Sequence, residues 1–426
     1  MQEESSSEIL VDHLFRHEAG KMIAVLTRLF GMHNLSMAED VVQDAFLKAT
    51  QTWKFKSIPD NPSAWLMQVA KNKALDILRK KNVTDHYSAE LSNQLQEATD
   101  NYVDQVFLDT EIEDSQLQLI FACCHPSLRE EDKVALTLKT ISGFGVKEIA
   151  KALLAQEETI QKRLYRAKQF IQQNNITLEI PSGKALQQRL DTVYTILYLI
   201  FNEGYNTTKS NELIRKDICA EAMRLCLLLS EHKTVAHPTS YALLSLMCFQ
   251  ASRFESRLDK NNTIILLQQQ DRNLWNHELI DRGYYYLNRS SSGENITVYH
   301  IESAIAAEHC LAKDFQLTNF SRLLELYNML WQIKPTPVVQ MNKSIVLSYT
   351  GKTKEAIDLM LSIDGIDQLL KTQYMFNAVL GELYIKDNQP MQATEYLENA
   401  LSLTQSDPEK KLLKEKIHTL RSMQWS

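Results

Sequence analysis

A chain of 426 residues with a formal net charge of −7 is long enough for two or three domains with cores of their own. Its acidity excludes a protein that coats nucleic acid indiscriminately, so any DNA-binding surface must be local. The first residues, MQEESSSEILVDHLF, are acidic and polar, and no stretch reaches the roughly 18 apolar residues a membrane span needs, so a cytoplasmic chain without a membrane partner is expected.

Almost every segment follows the 3.6-residue apolar period, punctuated by Gly and Pro, which predicts an all-α fold. In chain order, helices are expected over 9–31, 35–53 and 62–80. Gly31-Met32-His33-Asn34 and Ile58-Pro59-Asp60-Asn61-Pro62 separate them. Ser36 with Glu39 reads as a capping box, and Pro62 suits the first turn of the third helix. Residues 82–110 are polar and read as a flexible linker. A second helical unit is expected over 111–180, closed by Pro181. Helices without an evident repeat follow over 181–332, and paired helices over 333–426.

In the last part, Gly381, Tyr384, Ala393 and Ala400 fall where tetratricopeptide hairpins need small residues at a crossing and an aromatic to fill the gap. An earlier copy aligns Gly351 with Asn388 at the turn and Ala356 with Ala393 at the crossing. Simple helical hairpins are the plainer alternative.

The chemistry-bearing residues lie in the first 170 positions. Between 139 and 170 stand Lys139, Lys147, Lys151, Lys162, Arg163, Arg166 and Lys168, and between 71 and 81 stand Lys71, Lys73, Arg79, Lys80 and Lys81. The stretch LTLKTISGFGVKEIAKALLAQEETIQKRLYRAK reads as a helix-turn-helix. Ile149, Ala150 and Leu153 form its first packed helix, Ile160 and Leu164 the buried face of the second, and Gly143 and Gly145 the turn. The second helix then offers Thr159, Gln161, Lys162, Arg163, Arg166 and Lys168 to a major groove.

Asp40 and Asp44 are one helical turn apart with Gln43 beside them, and no nucleophile, metal set or Gly-rich phosphate loop accompanies them. A protein-docking face suits them better than catalysis, and neither enzyme chemistry nor a cofactor is expected. Downstream, Trp53, Phe55 and Trp65 interleave with Lys71, Asn72, Lys73, Asp76, Arg79 and Lys80, the mixture of aromatic surfaces and cations that captures unstacked bases. Cys123, Cys124, Cys219, Cys226, Cys248 and Cys310 lack metal-binding spacing and read as reduced core residues.

AEDVVQDAFLKATQTWKF followed by PSAWLMQVAKNKALDILRKK resembles region 2 of bacterial RNA polymerase sigma factors of the extracytoplasmic-function group, and the helix-turn-helix resembles their region 4. The blocks DSQLQLIFACCHPSL, LIFNEGY, CAEAMRL, QQDRNLWNHELI and PVVQMNKSIVL resemble the subfamily with a long C-terminal tetratricopeptide-like extension. The resemblance implies a sigma region 2 bundle over 1–81 and a region 4 helix-turn-helix over 111–180. It implies that Asp40, Val41, Gln43, Asp44 and Phe46 dock on the β′ clamp helices of core RNA polymerase, with region 4 near the β flap. It assigns Trp65, Lys71, Asn72, Asp76, Arg79 and Lys80 to the melted non-template strand of the −10 element, and residues 157–168 to the duplex −35 element.

Asn202, Glu203, Tyr205, Asp271, Arg272 and Trp275 are candidates for an internal, regulatory network in the extension, to which a regulatory protein is expected to bind. The chain departs from the subfamily's pattern at Asn262 and Gln268 to Gln270, where a Gly and acidic residues are usual. Two other readings stay open: a one-component regulator that binds duplex DNA without polymerase, and a tetratricopeptide scaffold whose N-terminal units only dock proteins.

Overall fold

The computed structural model describes residues 2–54, 57–83, 100–153, 155–205, 215–259, 263–293 and 295–423, so Phe55 and Asn262 lie outside the described residues. Among the described residues the chain is helical without a strand, apart from one isolated antiparallel bridge, Leu258 to Ile264. It divides into two compact units, Met1–Ile200 and Phe201–Ser426.

The first unit begins with α1 (Gln2–Phe30), α2 (Leu35–Trp53) and α3 (Pro62–Val83). Gly31 at φ +85 breaks α1, and a 3-10 turn over Met32–Asn34 leads directly into α2. Ser36 therefore lies inside α2 rather than capping it, and the expected capping box does not form. Asn61 Oδ1 accepts from the Ala64 backbone N–H at 3.0 Å, which places Pro62 at the first helical position, where its missing N–H costs nothing.

Residues 100–106 are also helical (α4), although the sequence reads as linker there. Val103 and Val106 are buried, and Val106 packs with Val25 and Ile112 against Leu29, Met67 and Phe107. Three apolar side chains in an otherwise polar stretch are enough to anchor about two turns.

Next come α5 (Asp109–Cys123), α6 (Glu130–Thr140), α7 (Val146–Ala152) and α8 (Glu157–Gln173). Helices α7 and α8 form the helix-turn-helix, with Ile149, Ala150, Ile160 and Leu164 buried as expected, Leu153 half-buried, and Ala167 and Ile171 extending the buried stripe of α8. Gly143 turns the chain at φ +69, a backbone region that favours glycine, whereas Gly145 has an ordinary φ of −70 and donates its N–H to Glu148. The boundary between the units falls within α9 (Gly183–Tyr205). In the first unit, Arg189 of that helix donates to the Phe121 carbonyl at 2.7 Å.

In the second unit, α10 (Lys216–Glu231), α12 (His277–Ser290) and α13 (Val298–Leu311) surround α11 (Pro238–Ala251), whose buried residues lie on every face. Gly283 lies against Phe249, since a Cβ there would stand 2.6 Å from the ring. Helix α14 (Phe320–Ile333) leads to hairpins formed by α15 (Pro337–Ser348) with α16 (Thr353–Leu361), and by α18 (Tyr374–Lys386) with α19 (Pro390–Leu403). Between and after them lie α17 (Ile366–Thr372) and α20 (Asp407–Met423). The positions aligned from sequence match in conformation. Gly351 and Asn388 both take positive φ, +82 and +57, and Ala356 and Ala393 are both fully buried.

Candidate polymerase and nucleic-acid interface

Helix α2 buries Ala38, Val41, Val42, Ala45, Phe46 and Ala49, and its exposed residues include Ser36, Met37, Asp40, Gln43, Asp44, Leu47, Lys48 and Thr50. Within this set, Met37, Asp40, Asp44 and Leu47 make a carboxylate-bearing stripe with an apolar side chain at either end, bordered by Lys48, a composition suited to a basic helical partner. Val41 and Phe46 are 2% and 4% exposed, and the Phe46 ring meets Phe15 edge-on at 4.9 Å. They hold α2 to the bundle and are corrected from contact residues to supports. Met37 and Leu47 were missed by the sequence reading, although their spacing from Asp40 and Asp44 puts all four on one helical stripe.

On α3, Trp65 is half-buried and its ring lies 5.3 Å from that of Trp53. Asn72, Asp76 and Lys80 are exposed at four-residue intervals, and Asn72 accepts from Gln68 at 2.8 Å. Lys71 and Arg79 face elsewhere. Lys71 pairs with Asp104 at 2.6 Å beside the Phe107 ring, and Arg79 pairs with Asp100 at 2.7 Å. Two of the six α3 candidates are thus committed to α4 and its continuation, while Lys73 pairs with Asp44 of α2.

On α8, Thr159, Gln161 and Lys162 are exposed and Arg163 is half-buried. Tyr165 is 66% exposed and lines a shallow concavity with Glu158, Gln161, Lys162 and Arg166. Arg166 makes a forked contact with the buried Asp132, at 2.7 and 3.3 Å, which fastens α8 to α6. Lys168 is engaged with Glu39 of α2 at 2.5 Å. Arg166 and Lys168 are therefore framework contacts here, and the open face of the helix is Glu158, Thr159, Gln161, Lys162 and Tyr165.

The extension candidates fall into two groups. The Tyr205 ring stacks on Phe201 and lies 3.8 Å from the Arg257 guanidinium carbon, and Arg257 donates to the Tyr205 carbonyl at 2.7 Å. Asp271 caps a short turn by accepting from the Asn273 N–H at 2.9 Å. Arg272 donates to the carbonyls of His309, at 2.5 Å, and Ala312, closing the C-terminus of α13. Trp275 is buried between Arg253 and Arg272. These contacts fasten loops to helices, and Asn202 and Glu203 stand half-buried on α9, where burial raises the Glu203 carboxyl.

Gln270 accepts from Arg253 and Ser256 and donates to the Ile265 carbonyl within its loop region, while Gln268 accepts from Tyr349 and ties the loop to the end of α15. Helix α14, the hairpins and α20 line a half-open cavity of about 490 Å³, with Phe320, Tyr327, Tyr349, Met375 and Lys386 in its wall. Burial lowers the Lys386 ammonium to about 8, and it donates to Ser348 Oγ at 2.9 Å. Five of the cysteines are buried and Cys310 is half-buried; all are free, and burial pushes the Cys124 thiol up to about 11. No helix of the described residues is long and apolar enough to cross a membrane, and no metal-binding cluster occurs among them.

Residues 14–84 match the model of sigma-70 region 2, and residues 118–171 that of sigma-70 region 4. Residues 189–291 match a family of unknown function, DUF6596. An uncharacterized protein of Rhizobium meliloti is 30% identical over 383 residues, covering 89% of each chain. The ECF RNA polymerase sigma-E factor of Haemophilus influenzae is 27% identical over 161 residues, 36% of this chain and 80% of that one. No solved structure matches the chain. With regions 2 and 4 matched in order on helices that expose a carboxylate face and a recognition helix, the chain belongs to the sigma-70 family, in the extracytoplasmic-function group, and carries a C-terminal extension beyond region 4.

Proposed function

We propose that the chain directs core RNA polymerase to selected promoters, with region 2 reading a melted −10 element and region 4 reading a duplex −35 element. The observation that carries this reading is the pairing, within one unit, of the exposed Met37, Asp40, Asp44 and Leu47 stripe with the exposed Thr159, Gln161, Lys162 and Tyr165 face. The first has the chemistry of a dock for the basic β′ clamp helices. The second offers donors and an aromatic ring at the spacing of successive helical turns. The side chains along α3, Trp65, Asn72, Asp76 and Lys80, provide the stacking surface, amide and charge that melted bases need, so contacts made only with the open strand offset the cost of opening. RNA synthesis itself belongs to the polymerase, and this chain supplies no covalent chemistry.

The extension, in this reading, regulates output through its tetratricopeptide-like hairpins, and the cavity beside Lys386 is the surface at which a regulatory partner acts. The test is co-elution of the purified chain with bacterial core RNA polymerase. The unmodified chain should form a stable complex, and Asp40→Lys with Asp44→Lys should abolish it while leaving the helical circular dichroism unchanged. Stable binding to promoter duplex without any affinity for core polymerase would favour the one-component regulator instead.

A further inference from the structure

The cavity beside Lys386 is apolar through most of its wall. Ile345 of α15, Ala378 and Val379 of α18 and Leu413 of α20 contribute to it. Phe315, Phe320 and Tyr349 add an aromatic cluster with ring centroids 4.7 to 5.3 Å apart. The volume of about 490 Å³ falls within the range of about 300–1,000 Å³ usual for pockets that bury a small organic ligand. Residues 263–268 close one side. Tyr349 donates to Gln268 at 2.9 Å and Lys411 of α20 donates to Thr263 Oγ1 at 2.7 Å, which ties this loop to two of the elements that line the cavity.

The charged groups of the wall differ in what they already hold. Glu382 pairs with Lys416, and Glu409 accepts from the hydroxyls of Tyr374 and Thr404. Lys386 has no such match. It donates to the neutral Ser348 Oγ, its nitrogen stands 2.9 Å from the Tyr349 ring centroid, and it forms no ion pair among the described residues. The ring face attracts the ammonium but does not neutralise it. A half-buried cation without a counter-ion carries a desolvation cost that an incoming anion offsets. His309, also in the wall, is kept neutral by burial and adds no second positive charge.

We propose that this cavity binds a small amphiphilic monocarboxylate, with its apolar body against the aromatic cluster and its carboxylate on Lys386. One unmatched cation selects one negative charge, and the apolar wall disfavours a strongly hydrated polyanion. The proposal deepens the regulatory reading of the cavity, on which it rests for the consequence of binding and not for binding itself. An occupant touches α14, α15, α18, α20 and the 263–268 loop together, so the occupied extension is stabilised in proportion to ligand concentration.

The test is isothermal titration calorimetry of the full-length chain with octanoate, against octan-1-ol as its uncharged counterpart and octyltrimethylammonium as its cationic one. One saturable octanoate site is expected, tighter than either counterpart. Lys386→Met should weaken octanoate about tenfold or more while leaving octan-1-ol no weaker, the signature of one charge-assisted contact. Ala378→Phe, which fills the cavity, should weaken both. Lys386→Met, at a half-buried site, decides the outcome even where Ala378→Phe does not fold. No saturable octanoate site in the folded chain, the result a protein occupant would give, overturns the proposal. So does an octanoate affinity that Lys386→Met leaves unchanged, or a preference for the cationic counterpart. Octanoate that binds as expected yet leaves transcript yield with core polymerase unchanged would remove the regulatory reading and leave the site standing.

Discussion

Individual side chains separate support from contact. Val41 and Asp44 are three residues apart on α2, yet one is buried and the other exposed. Val41→Ala should therefore lower stability by about 2 kcal/mol in urea unfolding while leaving core-polymerase affinity per folded molecule unchanged. Motif carry-over assigned both residues to one role, because a matched motif records which residues occur and not which of them face outward. His309 gives a pH signature. Burial, then the charges of Arg253 and Arg272, lowers its imidazole to about 3, below the ordinary value near 6.5. The unfolded chain then binds more protons at this site between those values, so its contribution falls as pH drops through that window. Between pH 7.5 and 5.0 the loss should be about 2 kcal/mol, and His309→Gln should remove that part of the slope in paired urea titrations.

At the scale of elements, α8 shows what periodicity can and cannot deliver. The burial of Ile160 and Leu164 was legible because a 3.6-residue period defines it, and Ala167 and Ile171 continue the same stripe. The commitments of Arg166 to Asp132 and Lys168 to Glu39 were not, since their partners lie 34 and 129 residues away. On this basis Lys162→Ala should weaken promoter binding of the polymerase complex and reduce the salt slope by about one. Arg166→Ala should instead loosen α8 from α6 and lower thermal stability, measured by calorimetry. Helix α4 escaped the sequence reading for a different reason: its apolar residues, Val103, Val106 and the adjoining Phe107, are too few to raise a periodic signal, and tertiary contact with Val25 and Met67 supplies the rest. Its ion pairs with α3 are partly exposed and screened by solvent, so burial of Val103 and Val106 holds it in place. Val106→Ala should therefore increase proteolytic cleavage around residues 100–107 more than Asp100→Asn does.

For the whole molecule, the composition-level argument that an acidic chain must localise its DNA-binding surface agrees with the sigma-70 region 2 and region 4 matches, which lie in the first 171 residues. The division between units was less legible. Pro181 suggested an end at 180, but α9 continues the first unit to Ile200, with Leu190, Val193, Ile196 and Leu197 buried. A helix that supplies core residues on both sides of a boundary leaves no compositional mark there. Removing residues after 180 would consequently strip part of the first unit, and a regulatory role for the extension is better tested by substitutions at the cavity. Lys386→Met should change transcript yield at equal protein concentration while core binding is retained, and an unchanged yield would remove this cavity from the account.

The central claim is tested most directly by transcription in a purified system, with bacterial core RNA polymerase and the promoter region of this chain's own gene. Addition of the full-length chain should produce a new transcript starting at one mapped position, and Asp40→Lys with Asp44→Lys should eliminate it. A chain that binds the polymerase and the promoter yet yields no specifically initiated transcript on any promoter would contradict the account.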